Sequence, residues 1–130
     1  MPRSSVLLSP APVDAEAVAQ AAGTVWRAGA DPTASPFELR PLDDGAVLQV
    51  LAGDLVVLSV LRPRMLPRLD EVTRLLPGVE APASTSWWSD AYTPWHPEGA
   101  IGVAILDALA AASGAVIVHQ GLAPSWRSAS

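Results

Sequence analysis

The stretch AVLQVLAGDLVVLSVLR, residues 46 to 62, constrains the fold more than any other part of the chain. Two apolar runs, Ala46 to Ala52 and Leu55 to Arg62, are separated only by Gly53 and Asp54. A two-residue, glycine-containing connection between such runs is the signature of a β-hairpin. A strand with one face in water alternates apolar and polar side chains. Here Gln49 interrupts one face of the first strand and Ser59 one face of the second, and the other positions are apolar on both faces. Such a hairpin must lie centrally in a sheet or beneath a cover. The rest of the chain must therefore supply neighbouring strands and something to pack on them.

It offers both. SVLLS (5–9) reads as a short buried strand, and Asp14 as the N-cap of a helix running to about Ala28. Val18, Ala21, Ala22, Val25 and Trp26 share one face of that helix, and Gly29 is its stop signal. ADPTASP (30–36) is a loop. Phe37 and Leu39 alternate with Glu38 and Arg40 as in a half-exposed strand, and DDG (43–45) marks a turn. Pro67 opens a short helix whose apolar side is Leu69, Val72, Leu75 and Leu76, ended by Pro77-Gly78. Pro97 begins a helix to about Ser113 with Gly114 as its C-cap, and AVIVH (115–119) is a last buried strand. The order is β-α-β-β-β-α-(β)-α-β. It predicts an α+β fold with a single antiparallel or mixed sheet and helices mainly on one face, a ferredoxin-like variant with an extra strand and helix. Residues 1–124 are expected to form one domain, and 125–130 a loose tail with Trp126 as a candidate anchor. Element order alone implies no function.

Composition narrows the function classes. Half of the 130 residues are apolar and mean hydropathy is +0.30, so either both sheet faces are covered or apolar surface meets a partner. The net charge is −5, and all eight basic residues are arginine. That balance argues against nucleic acid, which needs a basic stripe to displace counterions. A basic amphipathic membrane helix is absent too. With no cysteine, disulfides, thiolate catalysis and Cys-zinc sites are excluded. The N-terminal apolar run is far shorter than the roughly 7–15 residues of a signal-peptide core. No run approaches the roughly 20 residues of a membrane span. A cytoplasmic location is expected, and the Ala/Arg-rich, Lys-free usage suggests a bacterial source.

The candidate site is STSWWSDAYTPWHPEG (84–99), which holds three of the five tryptophans, the only tyrosine and one of the two histidines. Read as a strand, it sends Trp88, Asp90 and Tyr92 one way and Trp87, Ser89 and Ala91 the other. One tryptophan then plugs the core while its neighbour faces outward. Trp87, Trp88, Tyr92 and Trp95 are candidate binding residues, since such rings combine large area with a polar tip. The plainer alternative is that they cover a sheet edge and a helix end. His96 stands at the start of the third helix, where it serves as a cap or, as a neutral imidazole, a general base. His119, at a strand end, and Asp90 are the further catalytic candidates. No paired metal-ligand spacing is present, and no metal or cofactor is expected. Arg62 and Arg64, with Arg68, form a basic knot suited to a carboxylate or phosphate, or to Asp70, Glu71 and the Asp43-Asp44 turn. No nucleophile elbow, P-loop or dinucleotide fingerprint occurs.

These features favour a small non-catalytic interaction domain, regulatory or immunity-like, that binds a protein partner or forms a homodimer through residues 84–99. The alternative is a cofactor-free enzyme or ligand binder. Its aromatic pocket would use His96 as base, His119 or Asp90 to orient it, and Arg62 or Arg64 to hold an anionic substrate.

Overall fold

A computed structural model of the protein describes residues 3–29, 37–68, 70–76, 78–79, 82–94 and 99–120. The 46–62 hairpin folds as β3 (Val47–Ala52) and β4 (Leu55–Leu61), joined through Gly53 in the left-handed region at φ +64°. It lies within the sheet, with β2 (Phe37–Leu42) on one side and β6 (Trp87–Thr93) on the other. Gln49 and Ser59, the two polar interruptions, are direct cross-strand partners. Beyond β6 come β1 (Arg3–Ser9) and then β7 (Val116–Gln120). The two-residue strand β5 (Arg64–Met65) continues the edge of β6 where β4 leaves it. The sheet has seven strands in the order β2-β3-β4-β6-β1-β7, with β5 off that path, and every pair is antiparallel.

Two long helices cover one face. α1 (Ala15–Gly29) starts where the Asp14 carboxylate accepts the Ala17 N–H at 2.8 Å, which satisfies one orphan donor of its first turn. α3 (Gly99–Ser113) ends before Gly114, which takes the positive φ of a C-cap at +65°. Val18, Ala21 and Ala22 of α1 and Ile105, Leu106 and Leu109 of α3 meet Leu7, Val50, Leu58, Val60 and Ala91 of the sheet in the main core. A register shift at Val50/Leu51 marks a bulge in the hairpin, beside the close approach of α3. A Cβ at Gly102 would overlap the Val57 carbonyl oxygen and the Thr93 methyl, so only glycine fits there.

The opposite face is covered over half its width. Val6, Leu8 and Trp88 point away from α1 and α3, and with Val72 and Leu76 they build a second core beneath the short helix α2 (Asp70–Leu75). The structure changes the sequence expectation at α2: Leu75 is exposed rather than part of the apolar side. A six-residue helix presents too short an arc to bury all of its apolar residues. The sheet is also larger than expected, because residues 87–93 and 64–65 both join it. The 30–36 loop, Leu69, Pro97, the 125–130 tail and Trp126 lie outside the described residues. Among the described residues, no helix is long and apolar enough to cross a membrane.

Candidate functional site

Strand β6 carries the aromatic segment through the middle of the sheet, and its alternation decides what each ring does. Trp88 is 5% exposed and belongs to the second core. Its indole Nε1–H donates to Asp90 Oδ1 at 2.9 Å, and the Arg64 guanidinium stacks 5.0 Å from its ring centroid. Both partners are explained by the need to satisfy and cover a buried indole. Trp88 is therefore the one of the two neighbouring tryptophans that plugs a core, and not a free binding residue. Trp87 points to the other face, half-buried, across from Ser9 on β1 and Met65 on β5. Trp95 lies outside the described residues.

Tyr92 is different. It sits on the α2-bearing face between Ser4 of β1 and Ser59 of β4, both directly opposite it, and is 38% exposed. Two small neighbours leave the flanks of the ring bare. Next to it, Val47, Gln49, Val56, Ser59 and Leu61 are each half-exposed, and Leu42 on the edge strand is exposed. The apolar cluster under α2 draws on β1, β6 and β7 but on no residue of β2, β3 or β4. Among the described residues, that half of the face has no helix over it. The result is a shallow patch, apolar at Leu42, Val47, Val56 and Leu61, with the exposed Glu38–Arg40 pair on its outer strand, Leu51 buried on the same face, and one aromatic ring at its inner margin.

The histidine chemistry lies on the other face. His119 Nδ1 is 2.8 Å from Ser5 Oγ, and His119 Nε2 is 3.0 Å from Asp107 Oδ1. One tautomer satisfies all three groups: Nε2–H donates to Asp107, and the Ser5 hydroxyl donates to Nδ1. The trio resembles a nucleophilic triad in composition only. Ser5 is 2% exposed in a strand paired on both sides, so substrate cannot reach its oxygen and the backbone amides of β1 are held in ladders. The arrangement ties β1, β7 and α3 together. Asp90 is on the opposite face, so Asp90 and His119, the two alternatives for orienting a base, belong to different surfaces. His96 and Glu98 lie outside the described residues.

The arginine knot is spread out. Arg64 is taken up by Trp88, while Arg62 lies on the α1 side and donates to the Asp44 carbonyl at 2.9 Å. Arg68 pairs with Asp70 at 2.8 Å and Arg74 with Glu71. The hydrogen bond to Glu71, and then its charge, raises the Arg74 pKa, which keeps that group cationic as usual. Among the described residues, no three acidic or histidine side chains gather as a metal site would require.

Compared with known protein families, curated proteins and solved structures, the chain matches none of them. Sequence reasoning passed over Ser5 and Asp107. Asp107 carried a usable signal as the only charged residue in the α3 segment GAIGVAILDALAAAS. Ser5 carried none, because its partner His119 is 114 residues away.

Proposed function

We propose that this chain is a non-catalytic interaction domain that binds a protein partner, or a second copy of itself, through the open half of its sheet. The observation that carries the reading is the partly exposed apolar patch of Leu42, Val47, Val56 and Leu61 with Tyr92 at its margin. Surfaces of this kind, an apolar field with a single aromatic beside it, are where binding energy concentrates. The aromatic segment still contributes, but through Tyr92, while Trp88 is buried in the second core. A cytoplasmic setting and a regulatory role are part of this reading and are compatible with a cysteine-free acidic chain.

We also read the arrangement as an elaborated ferredoxin-like fold. β1 lies between β6 and β7, α3 connects those two strands, and the β2–β3 strands extend the sheet past β4. The extension is what creates the open half.

The test compares wild type with Tyr92→Ala and Val56→Glu. Sedimentation measures self-association, and affinity capture from the source cells measures partner binding. Both variants should fold and lose at least about tenfold in affinity. Unchanged association in folded variants overturns the reading.

A further inference from the structure

A cleft on the α1 side of the sheet, about 180 Å³ in volume, is unrelated to the open face. Its walls include Val13, Val18, Leu48 and Val60, so a ligand there would extend the main core. Pro41 and Pro63 also line it and offer no backbone N–H. Among the described residues, Arg62 is the only cationic one in the lining.

Three observations show that Arg62 is held at this cleft. Its backbone N–H donates to the Ala46 carbonyl at 2.8 Å. Its guanidinium donates to the Asp44 carbonyl at 2.9 Å. That carbonyl belongs to a turn in which Asp43, Asp44 and Gly45 all have positive φ, at 52°, 55° and 86°. Two consecutive non-glycine residues in the left-handed region are costly, and such strain persists only where the surrounding structure enforces it. Arg62 also differs in its partners. Arg40, Arg68 and Arg74 each meet a carboxylate and Arg64 an indole, whereas the Arg62 guanidinium donates to a neutral carbonyl. Its charge is not neutralised in that contact. Asp14, also in the lining, is engaged in capping α1 through Oδ1.

We propose that this cleft binds a small carboxylic acid with a compact apolar body, its carboxylate on Arg62 and its body against Val13, Val18 and Val60. The volume sets the size. An apolar cavity of about 150 Å³ holds a benzene ring, so an aromatic acid of one ring or a short branched aliphatic acid fits, and a long acyl chain does not. Asp14 sets the polarity, because a second negative group on the ligand would face its carboxylate.

Benzoate is the probe, with benzyl alcohol as its neutral counterpart, followed by amide chemical shifts of the full chain. Benzoate should give saturable shifts confined to residues 13–18, 45–48 and 60–62. Arg62→Gln, which keeps the length and removes the charge, should weaken benzoate at least about tenfold and leave benzyl alcohol unchanged. Ala15→Trp, at the exposed rim, should abolish both without disturbing the core. An absence of saturable shifts with wild type overturns the proposal. So does equal benzoate affinity in wild type and Arg62→Gln, or binding that survives Ala15→Trp. The Tyr92→Ala variant should bind benzoate normally, which separates this site from the open face.

Discussion

Gly102 shows how one residue sets the geometry of a whole layer. The missing Cβ lets α3 descend until its backbone meets the carbonyl of Val57 and the methyl of Thr93. The same face of the sheet carries other small side chains, Ser5, Ser89 and Ala91. Beneath the helices, Ser89 Oγ and Thr93 Oγ1 are buried with no hydrogen-bond partner among the described residues. Gly102→Ala should therefore destabilise the protein by about 1–3 kcal/mol, although alanine is the better helix former. Urea denaturation measures this. A stabilised Gly102→Ala variant would mean that α3 sits farther from the sheet. The reverse argument applies to Ser89→Ala, which removes an unpaired hydroxyl at little loss of volume.

At the scale of elements, β6 separates residues that the sequence presents as one cluster. Trp88 and Tyr92 share a face, yet one is covered by α2 and the Arg64 side chain while the other is partly exposed. Trp88→Ala should cost about 3–5 kcal/mol as a large core truncation, and Tyr92→Ala less than about 1 kcal/mol of stability. Thermal or chemical unfolding of the two variants distinguishes them directly. Equal losses would place Tyr92 in the core as well. The alternation of β6 was legible from residues 87–92, as were the 53–54 turn, the Asp14 cap and the Gly114 stop, because each depends on neighbours within a few positions. What covers each face was not legible. The stack of Arg64 on Trp88 needs the β5–β6 register, and the Ser5–His119–Asp107 linkage joins the two ends of the described chain. The exposure of Leu75 depends on where a six-residue helix stops. Such facts are set by long-range packing, to which local pattern is blind.

For the whole molecule, the consequence is an uneven distribution of cover across one continuous sheet. β1 has strands on both sides, α3 on one face and α2 on the other, and Val6, Leu7 and Leu8 are all buried. Among the described residues β2 has a strand on one side only, and it carries Glu38, Arg40 and Pro41, which discourage strand addition. Partners are therefore steered away from the β2 edge and toward the face beside it. Local opening free energies follow cover and pairing. Amides of residues 6–8 should exchange only through global unfolding, while those of Glu38, Leu39, Arg40 and Leu42 exchange orders of magnitude faster through local opening. Amide exchange with and without denaturant checks this: protection in β1 should fall in step with global stability, and exchange in β2 should be insensitive to low denaturant. The same measurement bears on function. A partner seated on the open half should slow exchange in β2, β3 and β4 and leave β1 near its global limit. Protection appearing instead around residues 13–18 would point to the Arg62 cleft, and uniform protection would mean that binding only stabilises the native state as a whole.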